Sequence, residues 1–187
     1  MTTSLDEFIA SNRDALIRRC QLKALERTAP QATTAELESG IPEFIDQITV
    51  ELRKAEPDTV AIRSTAARHG RFLFAQGVTI GQVVHAYGDV CQALTGMAEE
   101  LDAPMGTTDF RTLNRCLDDA IADAVSEFAN QARRTEQSGA EARTLELRNL
   151  LFTAITSFEA LQTGSLGVTG TTGFLLHRSL MAMRPLL

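Results

Sequence analysis

The sequence predicts an all-α protein in which a bundle of five helices is followed by a helical hairpin. Three observations lead there. Aromatic residues make up 5% of the 187 positions, and β-branched clusters alternating with polar residues do not recur, so strand signals are nearly absent. Four pairs have capping-box spacing: Ser4 with Glu7, Thr33 with Glu36, Thr79 with Gln82 and Ser138 with Glu141. In such a pair a hydroxyl and a carboxylate or amide satisfy the free backbone donors of a helix start. Apolar residues, 44% of the chain, recur at intervals of three and four and are numerous enough to bury a core.

The periodicity places helices at about 4–27, 34–54, 58–75, 79–102 and 107–135. Each break between them has a chemical cause: Pro30, Pro57, the region of Gly77, and the run Ala103, Pro104, Met105, Gly106 interrupt helical hydrogen bonding or free the backbone. In the fifth helix Phe110, Leu113, Leu117, Ile121, Ala124 and Phe128 form one stripe for the core, and Asp118, Asp119 and Glu127 are expected in solvent.

A polar stretch at 133–140 then leads into a sixth helix from about 141 to 163, either as a linker or as a continuous helical connector. Leu147, Leu151, Ala154, Phe158 and Leu161 repeat as a heptad seam. A glycine-rich loop, with Gly164, Gly167, Gly170 and Gly173, follows, and Leu176, Leu180, Met183 and Leu187 continue the spacing on a seventh helix. The expected organisation is 1–133 as the bundle, 134–142 as connector and 143–187 as hairpin. Two helices alone leave half of each apolar stripe in water, so a second copy is expected to close a four-helix bundle. A homodimer is the partner the seam predicts. The loop glycines lack a preceding strand and a Gly-Lys-Ser or Gly-Lys-Thr step, and are read as a hairpin turn and not a phosphate cradle.

The formal charge of -6 argues against a nucleic-acid partner, which needs a basic footprint. It is unevenly spread: residues 143–187 carry four arginines and two glutamates, net +2, against -8 for the residues before them. No apolar run approaches the roughly 20 residues that cross a bilayer, and the first residues lack a signal-peptide pattern, so a cytoplasmic protein with no membrane partner is expected. Cys20, Cys91 and Cys116 have no zinc or disulfide spacing and are read as reduced thiols, so no metal is expected.

Two segments carry a resemblance. Residues 67–74 (Ala-Arg-His-Gly-Arg-Phe-Leu-Phe), with 79–95 and 110–121, resemble the sensor domain at the front of a group of bacterial histidine kinases, a domain similar to the RsbRD-type domain of stressosome co-antagonists. The resemblance covers most of 1–133 and implies a globin-like helical sensor, usually without haem. His85, Tyr87, Asp89 and Cys91 lie in the resembling motif and are its candidate sensory residues, a tyrosine hydroxyl beside a carboxylate being able to register a ligand or partner. His69 and His85 are also weighed as haem ligands and read as core, capping or surface histidines.

The second segment, 145–155 with its hairpin, looks like the dimerisation and histidine-phosphotransfer region of the same kinases, whose signature is a histidine followed by an acidic residue, Leu, Arg and Asn. Glu146, Leu147, Arg148 and Asn149 match in order, but the phosphoacceptor slot holds Leu145. An imidazole nitrogen attacks the γ-phosphate of ATP, and leucine has no lone pair to do so. His177, on the second hairpin helix, is a poor substitute. These 187 residues contain no ATP-binding domain, as expected either of a piece of a longer kinase or of a protein that keeps only sensor and dimeriser; no cofactor is expected in this chain, with ATP and magnesium implied only where a separate kinase domain exists. The expected function is the sensory and dimerisation portion of a two-component histidine-kinase-like protein, without kinase activity of its own, acting on a response regulator or a partner kinase. A non-enzymatic stressosome-type scaffold is the alternative.

Overall fold

The computed structural model describes residues 4–27, 32–33, 39–103, 105–162 and 170–186. The chain is all-α, with no strand among the described residues. Its helices are α1 (Leu5–Ser11), α2 (Arg13–Glu26), α3 (Ile41–Leu52), α4 (Val60–Ala75), α5 (Ile80–Glu100), α6 (Thr107–Gln162) and α7 (Thr171–Met183), with a 3-10 turn at Arg184–Leu186. They fall into two compact units, Met1–Ala132 and Arg133–Leu187.

The first unit buries one core. Phe8, Leu16, Phe44, Ile48, Ile62, Leu73, Val83, Tyr87, Leu94 and Leu113 all belong to it. Two of the predicted capping boxes start helices as expected. The Ser4 backbone N–H donates to Glu7 Oε2 at 3.3 Å, and the Thr79 N–H donates to Gln82 Oε1 at 2.9 Å while the Gln82 N–H returns to Thr79 Oγ1. Thr33 with Glu36 falls partly outside the described residues.

Three boundaries and one burial differ from the sequence reading. The helix expected over 4–27 is two, because the Asn12 side-chain amide donates to the Phe8 carbonyl at 2.9 Å and the Asn12 backbone leaves helical geometry, so α2 restarts with the Leu16 N–H on the Asn12 carbonyl. The start expected at 34 lies outside the described residues, but the helix expected over 34–54 is interrupted at 39–40, and α3 begins at Ile41 with Gly40 in the left-handed region (φ 75°) and Pro42 in its first turn. The expected helix start at Ser138 does not exist, since α6 continues through it; without a proline, the lone Gly139 weakens the helix by only about 1 kcal/mol relative to Ala. Phe110 is exposed, because it sits at the edge of the stripe centred on Leu113, Cys116, Leu117, Ala120 and Ala124.

The predicted solvent face of α6 is in part an interhelical ladder. The Thr59 hydroxyl donates to Asp119 Oδ2 at 2.5 Å, Arg63 Nε to Asp123 Oδ2 at 2.6 Å, and Arg71 lies 3.4 Å from Glu127. Between these rungs a methyl on Gly70 would run into the carbonyl of Ala124, and beyond the last rung the rings of Phe74 and Phe128 meet edge to face with centroids 5.3 Å apart. Steps of four on both helices put all these contacts on one pair of faces. Asp118 remains exposed as expected.

In the second unit every residue from 133 to 146 is exposed, and burial starts at Leu147. Among the described residues of this unit the buried positions are Ala154, Ser157 and Ser179. No described helix is long and apolar enough to cross a membrane.

Candidate functional site

The four candidate sensory residues of α5 do not form one site. Positions 87 and 89 are two residues apart on a helix and so project to different neighbours. Tyr87, 1% exposed, places its hydroxyl 3.1 Å from His69 Nδ1 on α4 and its ring edge-on to Phe44 on α3, with centroids 5.0 Å apart. Asp89 is also buried, but it accepts from Arg27 Nη2 at 2.8 Å, and its backbone carbonyl faces the Cys20 thiol at 3.9 Å. The expected Tyr87–Asp89 partnership is thus replaced by two separate pairs. Cys91 is half-buried, which pushes its thiol pKa up, and His85 is exposed. Burial drives the Cys20 thiol up to about 12 and Cys116 up to about 11, so neither is a ready nucleophile.

His69, weighed from the sequence as a haem ligand and read as a core, capping or surface histidine, is a core residue. It is 4% exposed, and burial lowers its pKa to about 4. A histidine charge at neutral pH is therefore absent. The satisfaction of the pair fixes its tautomer. If Nδ1 donated to Tyr87, the tyrosine proton and Nε2 would both lack partners; with the Tyr87 hydroxyl donating to Nδ1, only the Nε2 hydrogen is left over.

A pH prediction follows from the sign of that shift. A histidine held below its unfolded value of 6.5 favours the fold fully above that pH, and the stability declines as pH falls towards the folded value of about 4. Each pH unit in that window removes about 1.4 kcal/mol. Chemical denaturation at pH 6.5 and 5.0 should therefore show a loss about 2 kcal/mol smaller in His69→Gln than in the native chain. Equal losses would mean that His69 titrates normally.

On α6, Leu145 is 60% exposed, and Glu146, Arg148 and Asn149 are exposed around it. The heptad seam divides. Ala154 is buried and Leu147, Leu161, Leu176 and Met183 are half-buried, whereas Leu151, Phe158 and Leu180 are 51%, 50% and 51% exposed. Leu187 lies outside the described residues. Phe152 and Ile155 add to the exposed stripe on α6, and Phe174 and Met181 to that on α7. At 100° per residue Leu151, Phe152, Ile155 and Phe158 fall within about a third of the helix circumference. The small Ala154 and Ser157 lie on an adjacent face. The single seam read from the sequence is thus two faces, a buried one of small residues and an exposed one of large apolar residues. His177 is exposed on α7.

Among the described residues no group of histidine, cysteine or carboxylate side chains could hold a metal ion. Comparison with known proteins finds no matching family model, no matching curated protein and no matching solved structure.

Proposed function

We propose that this chain is the sensory and dimerising part of a two-component histidine-kinase-like signalling protein, with phosphotransfer disabled at Leu145. The observation that carries the reading is the exposed apolar face of the second unit, Leu151, Phe152, Ile155 and Phe158 on α6 with Phe174, Leu180 and Met181 on α7. Several large apolar side chains exposed along one helix face mark an interaction site. A symmetric partner offering the same face would complete a four-helix bundle. In this reading residues 1–132 form a globin-like sensor, without haem, and their state biases the packing of the dimeric hairpins.

The α4–α6 ladder supports such coupling, because a shift of α4 acts directly on the helix that later carries Leu145. The chemistry at 145 follows from side-chain identity. Phosphoryl transfer needs a nucleophilic nitrogen and a neighbouring carboxylate to take its proton; Glu146 supplies the second and Leu145 cannot supply the first. The output is then control of a partner kinase or binding of a response regulator, with Arg148 and Asn149 on the exposed surface available for docking.

The test is to restore the acceptor. Leu145→His, mixed with the ATP-binding domain of a histidine kinase and radiolabelled ATP, is expected to take up acid-labile label that the native chain does not. A folded Leu145→His chain that stays unlabelled across a panel of such domains would remove the phosphotransfer ancestry from the account.

A further inference from the structure

Where the first turns of α6 meet the segment that follows α3, an open cavity of about 210 Å³ is lined by Lys54, Thr108, Asp109, Arg111, Thr112 and Arg115 among others. Its volume is several times the ~30 Å³ share of one water but below the roughly 300–1,000 Å³ of drug-sized sites. We infer that this cavity binds a phosphate dianion, as inorganic phosphate or as the end of a small phosphate monoester, held between Arg111 and Arg115 with the Thr112 hydroxyl donating to one of its oxygens.

Thr108, Arg111, Thr112 and Arg115 fall at steps of three and four, so they share one face of α6. Arg111 and Arg115 are exposed and therefore reachable from solvent, and neither has a hydrogen bond or an ion pair among the described residues. Two guanidinium forks one helical turn apart can each give a pair of N–H donors to phosphate oxygens, an arrangement that suits two negative charges better than one. Lys54 is not free in this way, since its Nζ lies 2.6 Å from Oε1 of Glu51, a residue only 2% exposed. Glu51 Oε2 also accepts from the Asp58 N–H at 2.7 Å, so this ion pair fixes one wall of the cavity.

Thr112 is the residue that points to an occupant. It is 8% exposed, yet its hydroxyl makes no hydrogen bond among the described residues, whereas most buried polar groups are paired. Thr49, Thr95 and Thr153 each return the hydroxyl to the carbonyl four residues back in their own helix. Thr112 does not, and it lines the cavity. A phosphate oxygen supplies the missing acceptor.

The start of α6 acts in the same direction. Its opening N–H groups have no partner within the helix, and the positive end of the helix dipole favours an anion beside them. Asp109, a carboxylate in the lining, accepts from the Gly106 N–H at 3.1 Å through Oδ2, which turns that oxygen to the chain entering the helix. This inference stands apart from the signalling proposal, because binding here requires neither a dimer nor phosphotransfer.

The test is calorimetric titration of the full chain, at slightly alkaline pH and constant ionic strength, with inorganic phosphate, methyl phosphate and the monoanion methyl sulfate. Saturable binding of at least one of the two phosphates is expected, with methyl sulfate about tenfold weaker because it brings no second charge to the second arginine. Arg111→Gln and Arg115→Gln should each weaken phosphate binding about tenfold. Thr112→Val keeps the shape and the charge, and should still weaken binding several-fold, which diffuse surface attraction would not produce. Both arginines are exposed, so their variants carry the test if Thr112→Val does not fold. Methyl phosphate bound at least as tightly as the free ion assigns the site to an ester; weaker binding assigns it to inorganic phosphate. No saturable binding of either phosphate would overturn the assignment. Methyl sulfate bound as tightly as phosphate, or affinity unchanged in the arginine variants or in a folded Thr112→Val, would overturn it equally.

Discussion

Gly70→Ala should be the most damaging single-methyl change in the first unit. In a helix interior alanine is favoured over glycine by about 1 kcal/mol, and an exposed site would show that gain. Gly70 is not such a site: the added carbon overlaps the carbonyl of Ala124, a backbone group that cannot rotate away. The only relief is to separate α4 from α6, which disturbs the Thr59–Asp119, Arg63–Asp123 and Arg71–Glu127 contacts and the Phe74–Phe128 pair together. Overpacking of this kind costs typically 1–3 kcal/mol, and the lost rungs place the net effect near the top of that range, about 3 kcal/mol. The contrast is Gly139→Ala, where nothing lies within 4 Å and a gain of about 1 kcal/mol is expected. Thermal unfolding of the two variants measures both signs. A Gly70→Ala chain as stable as the native one would mean that α4 and α6 are not in backbone contact.

Leu151→Glu combined with Phe158→Glu should convert a dimer into a folded monomer. Both side chains are about half exposed and lie on the apolar stripe, so the substitutions leave Ala154 and Ser157 inside the hairpin untouched. Each large apolar side chain half-buried by a partner contributes about 1 kcal/mol, and association itself costs about 4–15 kcal/mol, so the interface depends on most of the stripe acting together. Two carboxylates per copy at its centre, four in the assembled bundle, would be desolvated and unpaired, a loss of several kcal/mol on top of the apolar contacts. The readout is mass by light scattering together with helicity by circular dichroism. Retained helicity with halved mass is expected; an unchanged mass would place the interface elsewhere.

The helices themselves were legible because their signals are local. Thr79 with Gln82 and Ser4 with Glu7 are three residues apart, and Gly77 marks its own turn with φ 73°. What was hidden depends on neighbours distant in sequence. The Asn12 break turns on a short amide side chain folding back to share the Phe8 carbonyl with its own backbone N–H, a local choice that periodicity does not decide. Asp119 and Glu127 read as a solvated face because their partners, Thr59 and Arg71, lie on another helix. The same holds at the candidate sites. Tyr87 and Asp89 were singled out, but His69 and Arg27, which complete the two pairs, are 18 and 62 residues away. The split of the hairpin seam into small buried and large exposed residues follows from Ser157 and Ser179, which a hydrophobic pattern passes over.

The account rests most heavily on the exposed face of α6 and α7 meeting its own copy. Sedimentation equilibrium of the 187-residue chain over a range of concentrations tests that directly. The account predicts a mass twice that of the 20.4 kDa chain, falling towards the single-chain value only on dilution. A chain that stays at 20.4 kDa at every concentration would contradict it.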